Sequence, residues 1–89
     1  MKIVKCAFAG TLESSDTYVE IEPSEKGIDI QLESVVKEQF GDEILTAIRD
    51  VLAENNVENA SLRVSDRGAL ECVIRARVET AILRGREEE

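Results

Sequence analysis

Thr17-Tyr18-Val19-Glu20-Ile21-Glu22 decides the fold class of this chain. Thr17, Val19 and Ile21 alternate with Tyr18, Glu20 and Glu22. A period of two puts one set on a dry face and the other on a wet face, as in a half-buried strand. Upstream, Lys2 to Ala9 is rich in apolar residues on both faces and reads as a central or covered strand. Between the two lies Gly10-Thr11-Leu12-Glu13-Ser14-Ser15-Asp16, a hydroxyl pair flanked by carboxylates where two strands should turn. Downstream, Pro23-Ser24-Glu25-Lys26-Gly27 reads as a turn. Ile28, Ile30 and Leu32 then alternate with Asp29, Gln31 and Glu33. Three strands joined by short loops suggest an antiparallel meander.

The period then changes. Ile44, Leu45, Ile48, Val51 and Leu52 recur at helical spacing. Asp42 and Glu43 are expected in the first turn, where the positive end of the helix dipole favours carboxylates. Asn55-Asn56 is the expected stop, because Asn tolerates the left-handed conformation at a helix C-terminus. Ala60, Leu62 and Val64 alternate again and form a fourth strand. The last segment fits two patterns. Leu70, Cys72, Ile74, Ala76 and Val78 alternate like a strand, whereas Leu70, Ile74, Val78, Ala81 and Ile82 form a helical stripe. Its length favours a helix over about 69–84, since strands stop at roughly 4–8 residues. Glu71 and Arg75 make a favourable i,i+4 pair, and Asp66 is a candidate cap.

A helix between the third and fourth strands makes that connection a crossover. Those strands are then parallel and the crossover right-handed. The expected architecture is of the α+β type within the broader α/β class. It is a two-layer sandwich in the order β-β-β-α-β-α, with a mixed four-stranded sheet and both helices on one face. Residues 1–89 suit one small domain.

Composition narrows the function. The net charge is −8 and there is no His. An acidic surface repels phosphate backbones and anionic headgroups and suits basic partner surfaces, so neither nucleic acid nor membrane is an expected partner. Cys6 and Cys72 are too far apart for a metal site, and no metal is expected. They read as two free thiols in the core, in a reducing compartment. No run approaches the roughly 20 apolar residues that span a bilayer, and no signal-peptide pattern is visible. A cytoplasmic protein is expected. The tail Glu87-Glu88-Glu89 should fray into solvent.

Independent catalysis finds little support. No His is present to activate Ser14, Ser15, Cys6 or Cys72. Glu13 and Asp16 read as solvated turn residues, with Asp16 able to hydrogen-bond its own backbone. Asp66-Arg67-Gly68 lacks the Lys-Ser/Thr ending of a phosphate loop and reads as a strand-to-helix turn. Arg75 and Arg77, an imaginable phosphate clamp, read as a solvated helix face beside Glu71 and Glu79. Tyr18 needs no role beyond a half-buried strand position. By residue type alone, Ser14-Ser15 is a polar turn.

The segment Gly10-Thr11-Leu12-Glu13-Ser14-Ser15-Asp16 resembles the attachment loop of the citrate lyase acyl carrier proteins, the gamma subunits of that enzyme. The likeness continues in Val36-Lys37-Glu38-Gln39-Phe40-Gly41, Val51-Leu52, Asp66-Arg67-Gly68-Ala69-Leu70 and Arg75-Ala76-Arg77-Val78-Glu79, in order and at similar spacing. The resemblance implies a carrier that is not an enzyme alone. It implies that Ser14 bears 2′-(5″-phosphoribosyl)-3′-dephospho-coenzyme A through a phosphodiester. The terminal thiol of that arm would hold acetyl, exchanged for citryl on the alpha subunit. The beta subunit would cleave the citryl thioester to oxaloacetate and restore acetyl-carrier. A prosthetic-group transferase is implied as a further partner. The carrier of malonate decarboxylase is a sister possibility, and an unmodified scaffolding subunit is the alternative of a different class. The acyl carriers of fatty-acid synthesis differ, being four-helix bundles with Asp-Ser-Leu at a helix start.

Overall fold

The computed structural model describes residues 2–87. The elements follow in the order β1 (Ala7–Gly10), β2 (Thr17–Glu22), β3 (Ile28–Ser34), α1 (Lys37–Glu54), β4 (Ala60–Asp66) and α2 (Glu71–Gly85). The four strands form one sheet in the order β1-β2-β4-β3. β1 and β2 pair antiparallel, β2 and β4 antiparallel, and β3 and β4 parallel. The α+β class, the mixed four-stranded sheet and the two helices agree with the sequence pattern.

The meander is corrected. β4 enters the sheet between β2 and β3, so those two never pair. Alternation fixes which face of a strand is dry, but it does not name the neighbour. Burial explains the slot. Ala60, Leu62 and Val64 are fully buried, whereas Ile28 is exposed and Ile30 and Leu32 only half-buried. The driest strand takes the inner position, and β3 becomes an edge. The turn after β2 is tied down where β4 begins. The Gly27 amide donates to Asn59 Oδ1 at 2.8 Å, and the Ala60 amide donates to the Gly27 carbonyl at 3.0 Å.

The N-terminal strand is also shorter than the sequence suggests, and it lies on the edge of the sheet. It covers Ala7–Gly10 only, with Phe8 exposed. Before it, the chain leaves the sheet and lies against the end of α2. The Val4 amide donates to the Gly85 carbonyl at 2.9 Å, and Ile3 bridges Arg86 antiparallel. The Glu87 amide donates to the Lys2 carbonyl at 2.9 Å, so Glu87 is held. Glu88 and Glu89, the rest of the tail expected to fray, lie outside the described residues.

The core is continuous. Val19, Ile21, Leu62 and Val64 face Ile44, Ile48, Val51 and Leu52 of α1 and Ile74, Val78, Ala81 and Ile82 of α2. Each of the Val, Leu and Ile side chains contributes about 1.5–3 kcal/mol when removed from water. α1 begins five residues before Asp42, and its first-turn acid is Glu38. Asn55 caps its end and Asn56 takes φ +56°, as expected for a stop at this pair. The segment from Glu71 is helical, which settles its double pattern. The helix also corrects the thiols. Cys72 falls off the stripe of Ile74, Val78 and Ala81, and Cys6 lies ahead of β1; both are free and exposed.

Candidate attachment site

The loop after β1 is built from its two ends inward. Gly10 closes β1 with φ +92°. A Cβ here would sit 1.8 Å from the Thr17 carbonyl oxygen, so only glycine lets the two strands approach. Beyond it, Glu13 to Asp16 forms a β-turn closed by the Asp16 amide donating to the Glu13 carbonyl at 3.1 Å. Ser14 and Ser15 are its central residues, and Ser15 takes φ +67°. A positive φ at the second central position alone is the type II arrangement. Ser14 and Ser15 are both exposed. Neither hydroxyl is engaged by another group among the described residues.

Asp16 anchors the turn. Thr11 Oγ1 donates to Asp16 Oδ2 at 2.6 Å, and the Thr17 amide donates to Oδ1 at 2.7 Å. Arg77 grips both oxygens, with Nε at 3.1 Å and Nη2 at 3.2 Å. The Thr11 hydroxyl, the Thr17 amide and the Arg77 guanidinium together hold the carboxyl down at about 2. Asp16 therefore does the turn chemistry read from sequence, but it is not merely solvated. Arg77 is corrected from a solvated helix residue to a clamp between α2 and the loop. Arg75 keeps the surface reading, paired with Glu71 and with Asp50. Tyr18 donates to Glu20 at 3.1 Å and packs near Phe8.

The loop is also stitched to the β4–α2 turn. The Ser15 amide donates to the Arg67 carbonyl at 2.8 Å, and the Arg67 amide donates to the Asp16 carbonyl at 2.9 Å. Asp66 stands behind this junction with 2 % exposure. It accepts from the Thr17 hydroxyl at 2.9 Å, the Ser34 hydroxyl at 2.8 Å, and the Gly68 and Ala69 amides at 3.2 and 3.1 Å. Four donors compensate a buried carboxylate. One residue thereby binds three segments at one end of the sheet. It is not the cap of α2, whose N-cap is Leu70. Sequence reasoning missed this hub, although a signal existed: Asp66 continues the inward register of Ala60, Leu62 and Val64.

No His/Cys/Asp/Glu group that could hold a metal ion occurs among the described residues. No helix among them is long and apolar enough to cross a membrane. An exposed serine on a pinned turn, with a two-layer sandwich behind it, is compatible with a small carrier domain. Comparison with known proteins agrees. Residues 4–85 match an acyl carrier family model described as "Malonate decarboxylase delta subunit (MdcD)". The chain is 55 % identical over 89 residues to citrate lyase acyl carrier protein 2 of Salmonella paratyphi A, covering 99 % of this chain and 92 % of that protein. It is 53 % identical to the citrate lyase acyl carrier protein of Escherichia fergusonii and 48 % identical to that of Haemophilus influenzae, with the same coverage. The chain belongs to the citrate lyase acyl carrier protein family. Its fold matches a chain of a Pseudomonas malonate decarboxylase hetero-tetramer with a TM-score of 0.79 at 22 % identity, over 90 % of this chain and 82 % of that one.

Proposed function

We propose that this chain is the carrier subunit of a citrate lyase, residues 1–89 forming one carrier domain, and that Ser14 is its attachment point. The arm is 2′-(5″-phosphoribosyl)-3′-dephospho-coenzyme A, joined through a phosphodiester. When bound, it supplies a thiol that carries the acyl group as a thioester. The observation that carries the reading is the Ser14 hydroxyl. It is exposed and unengaged on a turn pinned by Asp16 and Arg67. A modifying enzyme can reach its Oγ, and the turn need not reorganise to present it.

The rest of the chain does no chemistry in this account. It holds the turn, excludes water from the core and offers an acidic surface to partners in succession. Those partners are the alpha subunit for acyl exchange, the beta subunit for citryl cleavage and the prosthetic-group transferase. A tethered thiol keeps the acyl group at high effective concentration near both active sites. The setting is cytoplasmic. The structural relative from a hetero-tetramer supports work within a complex. Intact mass of chain purified from its native host tests the reading. One covalent adduct of the arm is expected. A bare chain from active enzyme would leave a scaffolding subunit as the better account.

A further inference from the structure

We propose that Arg67 binds the phosphate of the arm at the attachment serine. The proposal rests on attachment at Ser14. Its ground is the pairing of the two turns. The Arg67 backbone accepts from the Ser15 amide and donates to the Asp16 carbonyl, so Arg67 flanks the serine turn by direct hydrogen bonds. Its side chain is exposed and meets no hydrogen-bond or ion-pair partner among the described residues.

The neighbouring arginines already have partners. Arg77 is held by Asp16, Arg75 by Asp50 and Glu71, and Arg84 donates to the Phe8 carbonyl at 2.9 Å. Arg63 on the open face pairs with Glu20. Arg67 is therefore an arginine whose backbone joins this turn and whose guanidinium meets no partner among the described residues. An anionic group needs that charge here. The chain carries −8 overall, and Glu13 adds a carboxylate beside Ser14. A phosphodiester placed there meets repulsion unless a local cation offsets it. A guanidinium suits the task, because its planar fork donates two parallel hydrogen bonds to phosphate oxygens. The same contact orients the arm at its root and favours the phosphate of the incoming donor during attachment.

The test uses the whole chain, loaded to completion at Ser14 with purified transferase. The serine-linked phosphodiester is followed by ³¹P NMR in the native chain, in Arg67→Ala and in Arg63→Ala. The proposal predicts a displaced resonance in Arg67→Ala, with weaker salt dependence, and an unchanged one in Arg63→Ala. It also predicts an attachment kcat/KM lowered about tenfold in Arg67→Ala, recovered only in part by Arg67→Lys. An unmoved resonance in Arg67→Ala overturns it, even with slower attachment, because the loss would then lie in docking of the transferase. A native chain with its adduct elsewhere than Ser14 removes the attachment reading, and this one with it. Peptide mapping of the same sample separates the two failures.

Discussion

The Thr17 hydroxyl donates a 2.9 Å hydrogen bond to the buried carboxylate of Asp66, across 49 positions of sequence. The two residues are also register partners in the β2–β4 ladder. Backbone pairing and side-chain pairing therefore fix the same junction. The serine loop, the start of α1 and the start of α2 all depend on it. Asp66→Ala strands the Thr17 and Ser34 hydroxyls and the Gly68 and Ala69 amides. The expected loss is about 3 kcal/mol or more of folding stability, read from urea unfolding. A loss under about 1 kcal/mol would mean that water replaces the carboxylate freely.

Gly10 and Gly27 make a matched pair for backbone strain. Both have positive φ, at +92° and +85°. An added Cβ meets the Thr17 carbonyl at Gly10 and nothing within 4 Å at Gly27. Gly27→Ala is expected to cost only the left-handed conformation, about 1–2 kcal/mol. Gly10→Ala should cost clearly more, because the strands must separate. Equal midpoints in thermal unfolding would contradict the close approach.

Asp16 gives the loop its pH dependence. Its folded value is depressed from 3.8 to about 2, chiefly by the Thr11 hydroxyl, then by the Thr17 amide and Arg77. A depressed carboxyl contributes stability that is complete above its unfolded value and is lost as pH falls through about 2. The loop should therefore keep its native geometry at pH 3, where an ordinary aspartate is mostly protonated. A ¹³C titration of the Asp16 carboxyl checks this. Thr11→Val should raise the midpoint, and so should Arg77→Ala. A midpoint already near the ordinary aspartate value in the native chain would mean that the network does not persist in solution.

The exposed thiols carry a separate expectation. Cys6 and Cys72 should both react with iodoacetamide in the folded chain. The double change to Ser should alter stability by no more than about 0.5 kcal/mol, as for surface positions generally. It should also leave acyl carriage intact, since the proposed function puts the acyl-bearing thiol on the arm. Loss of carriage with the fold preserved would assign a protein thiol to the chemistry.

Much of this fold was legible because its segments alternate cleanly. Val19 and Ile21, and later Leu62 and Val64, announce strands by period two, while Ile44, Ile48, Val51 and Leu52 announce a helix. Strand order was not legible, because a dry face says nothing of which strand lies beside it. β4 displaces β3 through burial that only the assembled sheet reveals. The serine turn could be located from sequence, and its exposure follows from its place between strands. Its anchors could not. The Arg77–Asp16 grip spans 61 positions, and no local pattern encodes a contact of that range. Asp66 was the recoverable miss, since its inward register was visible beside Val64. The thiols misled because a free cysteine is so often buried, and the helical stripe that excludes Cys72 outranks that tendency.

Site mapping of the covalent adduct tests the central claim most directly. Ser14 and Ser15 are both exposed, so exposure does not choose between them. Backbone geometry separates them. Ser15 holds φ +67°, a conformation that glycine adopts without strain, so Ser15→Gly should keep the turn and the adduct. Ser14→Ala should remove the adduct and the lyase activity while leaving stability within about 0.5 kcal/mol. Peptide mass mapping of the chain from its native host, with these two variants beside it, is the measurement. The account predicts the phosphoribosyl dephospho-coenzyme A arm on Ser14 in the native chain and in Ser15→Gly, and none in Ser14→Ala. An adduct on Ser15, or full activity in Ser14→Ala, would contradict it.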